Sequence, residues 1–216
     1  MRFELLVFDW DGTVFDSTGS ITRALQAACR ELELPEPSDA RARHVIGLEL
    51  SLALRHAVPD LPDERLPSLV DSYRRHYLAV DRDIHLFAGI PELLETLCAS
   101  GFLLAVATGK SRQGLERAFA SSGLGRHFSG SRCADECFSK PHPQMLEELM
   151  SEFAVPNART LMIGDTTHDM LMAVNAGVAG LAVTYGAHTR AELAQVNTLA
   201  CVDNVEQLAL WLKRNT

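Results

Sequence analysis

The polar side chains that could do chemistry fall in four short segments of the 216-residue chain. Residues 9–13 (DWDGT) and 108–110 (TGK) each follow an apolar run. Lys140 and Pro141 precede a third run, which ends in residues 164–169 (GDTTHD). Ligands of open parallel sheets bind beyond the carboxyl ends of the strands. If the apolar runs are neighbouring parallel strands, these four segments meet at one edge and form one site.

Carboxylates dominate the predicted site. Asp9 and Asp11 stand two positions apart in an extended segment, so their side chains point the same way. Together with Asp165 and Asp169 they would repel one another unless a cation joined them. Hard oxygen ligands favour Mg²⁺, which commonly binds one or two carboxylates and a substrate phosphate. The pattern therefore predicts a Mg²⁺ site, with one carboxylate acting as a nucleophile and its neighbour carrying a proton.

Other residues in these segments could bind phosphoryl oxygens. The Thr108 hydroxyl and the Gly109 amide suit such an oxygen, and Lys140 supplies the compensating positive charge. Thr108 could instead only cap the helix that follows it. The role of Lys110 stays open because its side chain could be solvated. His168 is expected to be a surface or packing histidine.

Apolar runs and helical periodicity predict the elements that position these groups. The runs 4–9, 102–107, 160–164 and 180–185 are predicted to be strands buried on both faces. Helical patterns separate them, such as the one from Ser111 to Gly123. Strands that alternate with helices predict an α/β fold with a Rossmann-like core and a mainly parallel sheet.

Residues 15–85 differ from the rest of the chain. Their apolar residues follow helical spacing, and no convincing strand is found among them. The predicted organisation is a catalytic core of residues 1–14 and 86–216, interrupted directly after the first strand by an all-helical domain of residues 15–85. This domain is inserted and not appended.

Three residues of the inserted domain could face a substrate. They are Arg43, His44 and Gly47. For Arg43 and His44, a solvated helix face is an equal alternative.

The four motifs resemble those of the haloacid dehalogenase superfamily, and the resemblance covers nearly the whole chain. The family's DxDGT motif stands at residues 9–13, and its Thr or Ser after a hydrophobic strand at Thr108. Its Lys, often followed by Pro, is Lys140, and its GDxxxD motif stands at residues 164–169. One such motif is weak evidence, whereas four in this order are specific. The inserted helices look like the cap of the phosphoglycolate phosphatase and β-phosphoglucomutase branch.

The resemblance implies a reaction. Asp9 would attack the phosphorus and become an aspartyl-phosphate, while Asp11 would protonate the leaving oxygen and later deprotonate the hydrolytic water. Mg²⁺ would be held by the Asp9 carboxylate, the Asp11 backbone carbonyl and Asp165. Asp169 is a further candidate ligand, and it would orient Lys140 or a metal-bound water. The candidate substrate-binding residues are Gly12, Thr108, Gly109, Lys140, Arg43, His44 and Gly47.

The lysine content narrows the activity within the family. Only three of the 20 basic residues are lysines, and residues 15–85 contain none. Phosphonoacetaldehyde hydrolases need a cap lysine, β-phosphoglucomutase-like members also rely on cap lysines, and haloacid dehalogenases do not use the second Asp. The prediction is a phosphatase acting on a small phosphate monoester, most like phosphoglycolate phosphatase. A sugar or amino-sugar phosphate phosphatase is the nearest alternative, and a mutase is less favoured.

Composition argues against other classes. A net charge of −8 is unsuited to nucleic acid or an anionic membrane surface. The odd number of cysteines, five, without CxxC spacing, favours a reducing cytoplasm. We expect a cytoplasmic monomer or homodimer that binds a small phosphorylated metabolite.

A response-regulator receiver would place its acidic pair before a later phospho-accepting Asp, unlike this chain. A non-catalytic protein that binds a phosphorylated ligand is an alternative that Mg²⁺-dependent turnover would exclude.

Overall fold

A computed structural model describes residues 3–80 and 85–215 of the chain. Its strands are β1 (Leu5–Phe8), β2 (Leu103–Thr108), β3 (Gly130–Cys133), β4 (Thr160–Gly164), β5 (Ala179–Val183) and β6 (Ala200–Val202). They form one parallel sheet in the order β3-β2-β1-β4-β5-β6. Because β1 lies between β2 and β4, the carboxyl ends of these three strands are adjacent.

The four strands predicted from apolar runs are confirmed as β1, β2, β4 and β5. Strands β1 and β4 are buried along their whole length, as expected for a sheet covered on both faces. The sequence pattern does not predict β3 or β6. The first reads GSRC and the second has three residues, and both lie at the edges of the sheet, where burial on both faces is not required.

Helices connect the strands. The first four follow β1 and are α1 (Thr18–Glu31), α2 (Asp39–His44), α3 (Leu50–Ala57) and α4 (Leu66–Val80). The later helices are α5 (Ile90–Ala99), α6 (Arg112–Ser122), α7 (Gln144–Phe153), α8 (Thr167–Asn175), α9 (Arg190–Leu193) and α10 (Val205–Asn215). Thr189 and Glu192 form a capping box at the start of α9. Among the residues with described structure, no helix combines the length and apolar character needed to cross a membrane.

Alternating side chains of the sheet build two apolar cores. Leu6 and Phe8 of β1 face one core, which also contains residues of α5 and α10. Leu5 and Val7 face the other, which contains residues of α7 and α8. Two-sided burial fixes the strand register, because a slip of one residue would exchange the two sets. The sheet therefore holds its carboxyl edge in a defined position.

Helices α1–α4, which we call the helical segment, pack around a third apolar core. Leu25 of α1, Leu54 of α3 and Leu69 of α4 are buried in it. The segment thus has a hydrophobic core separate from those of the sheet. The domain boundaries at 14/15 and 85/86 stay a prediction. Residues 1–2, 81–84 and 216 belong to the predicted domains but lie outside the described residues.

Candidate active site

The centre of the site is a buried group of carboxylates and one lysine. Asp9 directly follows β1, and its backbone N–H donates to the Ile163 carbonyl of β4 at 2.8 Å. Lys140 is 1% exposed. Its Nζ donates to Asp9 Oδ1 at 2.5 Å and to Asp169 Oδ1 at 2.7 Å. The structure therefore brings three of the predicted catalytic and metal residues into direct contact.

Asp165 is held on both of its carboxylate oxygens. Thr13 Oγ1 donates to Oδ1 at 2.8 Å, and the Ala187 backbone N–H donates to Oδ2 at 2.6 Å. Gly12, with a φ of 88°, lies so close that a Cβ there would come within 2.1 Å of Asp165 Oδ2. A side chain at residue 12 would thus collide with this carboxylate, and its positive φ also favours glycine.

Asp169 lies in the first turn of α8 and accepts hydrogen bonds at both carboxylate oxygens. The Thr166 backbone N–H and hydroxyl donate to Oδ2 at 3.0 and 2.6 Å, while Lys140 donates to Oδ1. This capping box fixes the aspartate against the helix. Asp169 is consequently placed to orient Lys140, which is one of the two roles considered above.

The site has the donor set of a divalent cation. Asp9, Asp165 and Asp169 each offer an oxygen within 4.8 Å of the others. Asp9 Oδ2 is buried without a hydrogen-bond partner. Burial, only partly offset by Lys140, raises the pKa of Asp9 well above its ordinary value. Burial and the charge of Asp169 raise the pKa of Asp165 to about 7. A cation among these oxygens would relieve that repulsion, so the residues fit Mg²⁺.

Asp11 is held apart from this group. Ser17 Oγ donates to its Oδ1 at 2.6 Å, and Lys110 Nζ forms an ion pair with the same oxygen at 3.0 Å. Lys110 also donates to Tyr77 Oη of α4 at 3.1 Å. Burial lowers the pKa of Lys110, but the combined charges and hydrogen bonds of Asp11 and Tyr77 outweigh burial, so the pKa is raised overall. Lys110 is therefore a charged member of the site, and solvation, the alternative considered above, is excluded.

Thr108 and Gly109 lie between the sheet edge and the helical segment. Thr108 is fully buried, and its Oγ1 accepts a hydrogen bond from the Lys110 backbone N–H at 3.2 Å. Ser111, and not Thr108, caps α6. A Cβ at residue 109 would come within 2.5 Å of the Gly47 carbonyl oxygen. Glycine at 109 therefore permits the backbone of the helical segment to approach the edge closely.

The three candidate residues of the helical segment have different surroundings. Gly47 lines the cavity beside Asp11, whereas Arg43 and His44 are not among the described residues that line it. The exposed His44 ring stacks on His188 with 4.9 Å between ring centroids. The His44 backbone carbonyl oxygen accepts hydrogen bonds from Nε2 of His168 and Nε2 of His188 at 2.8 and 3.1 Å. His168 thus packs between the two regions, consistent with the packing role expected for it.

A cavity of about 440 Å³ opens between the helical segment and the sheet edge. Asp11 and Lys110 line it at the sheet edge, which we call its catalytic end because the proposed site lies there. Its apolar lining comes mostly from the helical segment and includes Ile21, Leu25, Val45, Leu48, Leu50, Ala53, Leu54, Tyr73, Tyr77 and Leu78. The sequence offered no signal for it, because these residues have the same spacing as residues of an ordinary helical core.

Comparison with known proteins defines the family. A family model described as haloacid dehalogenase-like hydrolase matches residues 6–183. The chain belongs to this family of hydrolases, which confirms the resemblance inferred from the four motifs.

Several relatives are similar over most of their length. A probable phosphatase, IndB, of Dickeya dadantii is 36% identical over 94% of this chain and 91% of its own. A 5′-nucleotidase of Pseudomonas aeruginosa is 33% identical over 94% and 93%. A phosphoglycolate phosphatase of Mannheimia succiniciproducens is 30% identical over 86% and 87%. The crystal structure of a predicted phosphoglycolate phosphatase from Haemophilus somnus covers 100% of this chain and 99% of its own, with a TM-score of 0.88 and 25% identity.

Proposed function

We propose that this protein is a Mg²⁺-dependent phosphatase that hydrolyses a small phosphate monoester through an aspartyl-phosphate on Asp9. The observation that carries the proposal is the unequal hydrogen bonding of the two Asp9 carboxylate oxygens. Lys140 holds Oδ1, whereas Oδ2 is buried without a hydrogen-bond partner. A buried, oriented and unpartnered carboxylate oxygen is suited to attack an electrophile. Relatives named as phosphatases support this activity.

In the first half-reaction, Asp9 Oδ2 attacks phosphorus and the bond from phosphorus to the alcohol oxygen breaks. Asp11 gives its proton to that oxygen, so the alcohol leaves neutral. Lys110 pairs with Asp11 in the structure, and the negative charge of a bound phosphate would attract the lysine. This attraction would weaken the ion pair between Lys110 and Asp11.

In the second half-reaction, water attacks the phosphorus of the aspartyl-phosphate, and inorganic phosphate leaves as the Asp9 carboxylate is restored. Asp11 takes the proton of that water. Lys110 forms an ion pair with the same Asp11 carboxylate. Thr108 and Gly109 are proposed to bind phosphoryl oxygens, and Lys140 to hold Asp9 in position.

Mg²⁺ would be held by Asp9, Asp165 and the backbone carbonyl of Asp11, and it would supply positive charge to the phosphoryl oxygens. Asp169 Oδ1 accepts a hydrogen bond from Lys140 Nζ, the same atom that donates to Asp9 Oδ1. We therefore assign Asp169 to the positioning of Lys140.

The helical segment is proposed to act as a cap that excludes water from the aspartyl-phosphate. It contacts the edge through the Glu49 backbone N–H, which donates to Ser139 Oγ at 2.9 Å, and through the Tyr77–Lys110 bond. Phosphoglycolate and sugar phosphates are candidate substrates. The named 5′-nucleotidase relative adds nucleoside monophosphates. A cytoplasmic location and a monomeric or homodimeric state stay predictions.

The test is release of nitrophenol from p-nitrophenyl phosphate with and without Mg²⁺. We expect wild-type turnover to require Mg²⁺ and the Asp9→Asn variant to lose at least about 10⁴-fold in kcat, as for removal of a nucleophile. Circular dichroism checks that the variant is folded. Wild-type protein that releases no nitrophenol in the presence of Mg²⁺ contradicts the proposal.

A further inference from the structure

We propose that the substrate is a phosphate monoester whose alcohol carries a flat aromatic ring, as a nucleoside does, and that the ring binds in the cavity of the helical segment. This inference rests on the phosphatase function proposed above. It names the chemistry of the leaving group, which the catalytic residues do not determine.

The cavity wall is suited to an apolar leaving group. Ile21 and Leu25 come from α1, Leu50 and Leu54 from α3, and Tyr73 from α4. Apolar surface that leaves water on binding contributes to the binding free energy in proportion to its area. The short acid glycolate has almost no such surface to bury, whereas an aromatic ring has a large one.

The charges around the cavity do not match a carboxylate-bearing alcohol. Lys110 is paired with Asp11, and Arg74 and Arg117 are exposed, where solvent screens their charge. Glu49 also lines the cavity, and the backbone N–H groups of Ser51 and Leu52 donate to its carboxylate. A second carboxylate bound there would be repelled by Glu49. Phosphoglycolate is therefore disfavoured.

Two aromatic rings lead from the catalytic end into the cavity. Lys110 Nζ lies 3.0 Å from Asp11 Oδ1 and 4.9 Å from the centre of the Tyr77 ring. The Tyr77 and Tyr73 rings are stacked, with 5.9 Å between centroids and 19° between planes. A ring a few bonds from the phosphate would meet this aromatic wall, where offset stacking is favourable.

The size of the cavity is consistent with this occupant. Its volume of about 440 Å³ lies within the range of roughly 300–1,000 Å³ typical of pockets that enclose drug-sized ligands. Glycolate would leave most of that space to water. A nucleoside would fill more of it and would contact the apolar wall.

The first experiment compares uridine 5′-monophosphate with ribose 5-phosphate and 2-phosphoglycolate under Mg²⁺. The first two share the sugar and the phosphoester and differ in the aromatic base. We expect kcat/KM for uridine 5′-monophosphate to exceed the other two values by about tenfold or more. Equal values, or a preference for phosphoglycolate, overturn this inference and leave the phosphatase function standing. Lack of turnover of every ester contradicts the phosphatase function itself.

A variant then locates the ring. Ala53 of α3 lines the cavity and is half-buried, so Ala53→Trp would occupy the space proposed for the base. We expect the preference for uridine 5′-monophosphate over ribose 5-phosphate to fall about tenfold, because KM for uridine 5′-monophosphate rises. The matched control Ala40→Trp makes the same change at an exposed position of α2 outside the cavity lining, and its preference should equal that of the wild type. An unchanged preference in Ala53→Trp overturns the inference.

Wild-type protein provides a measurement that does not depend on the folding of a variant. Uridine should inhibit the hydrolysis of ribose 5-phosphate competitively, and ribose should inhibit it at least about tenfold more weakly. Inhibition of equal strength by both alcohols would mean that the base finds no site, and it would overturn the inference.

Discussion

At the sheet edge, Asp9, Asp165 and Asp169 are nearly or fully buried and each is held by specific donors. In the helical segment, the surface that faces the edge is mostly apolar and lines an open cavity. The first region fixes charges at defined positions, and fixed charges are what phosphoryl transfer requires. The second region offers shape and apolar surface, which distinguish one alcohol from another. If the proposed function is correct, the reaction and its selectivity are carried by separate parts of the molecule.

The largest effect is expected from the removal of Lys140. In Lys140→Met, Asp9 and Asp169 lose their shared cation in a buried site. Breaking a buried ion pair in this way costs about 3–5 kcal/mol of stability. We expect kcat to fall by about 10³-fold as Asp9 loses its orientation. Urea unfolding and steady-state kinetics measure the two effects, and a kcat within tenfold of wild type would contradict the assignment.

Next in size is the response of the melting temperature to Mg²⁺. Binding at about 100 times Kd stabilises a folded protein by about 2.7 kcal/mol, which for this size corresponds to a rise of roughly 5–10 °C. Asp165→Asn should lose most of that rise, because one ligand charge is gone. Differential scanning calorimetry with and without Mg²⁺ provides the readout. If the variant and the wild type shift equally, Asp165 is not a ligand.

A smaller effect is expected at Lys110, which joins the two regions. Lys110→Met removes the ion pair with Asp11 and the hydrogen bond to Tyr77, while Ser17 still holds Asp11. We expect kcat to fall about 10- to 100-fold, below most of the roughly 10²–10⁴-fold range for direct acid–base catalysis, because Lys110 acts through Asp11. Lys110→Arg keeps the charge and should recover part of the loss. No difference between the two variants would argue that the lysine acts only by filling space.

The smallest effect is expected at Arg43. This half-buried side chain belongs to α2 and is not among the described residues that line the cavity. Surface substitutions away from a site usually change little. Arg43→Ala should therefore keep kcat/KM within about twofold of wild type for every ester tested. A tenfold loss for one ester would show that a charged side chain of the helical segment helps to select the substrate. Selectivity would then not depend on shape and apolar surface alone.

The sequence predicted the catalytic edge far better than the cavity. Asp9, Asp11, Lys140 and Asp165 stand in motifs whose spacing follows from strand ends and carboxylate chemistry. Apolar runs likewise predicted the four inner strands, because two-sided burial demands continuous apolar sequence. The edge strand β3, which reads GSRC, has no such constraint.

Contacts between distant segments could not be predicted. Lys110 meets Tyr77, 33 positions earlier in the chain, and His168 meets the carbonyl of His44, 124 positions earlier. Such contacts depend on how the helical segment packs on the sheet, and no local pattern encodes that. Low lysine content alone marked Lys110 as unusual, without indicating its partner.

Covalent catalysis by Asp9 is the central step of the proposed mechanism, and a rapid acid quench during turnover tests it directly. Protein mixed with Mg²⁺ and excess p-nitrophenyl phosphate is quenched within one turnover, digested and analysed by mass spectrometry. If Asp9 is the nucleophile, the peptide that contains Asp9 gains one phosphoryl group, and the same peptide of Asp9→Asn gains none. Full Mg²⁺-dependent turnover with a phosphoryl group on another residue, or on none, would contradict it.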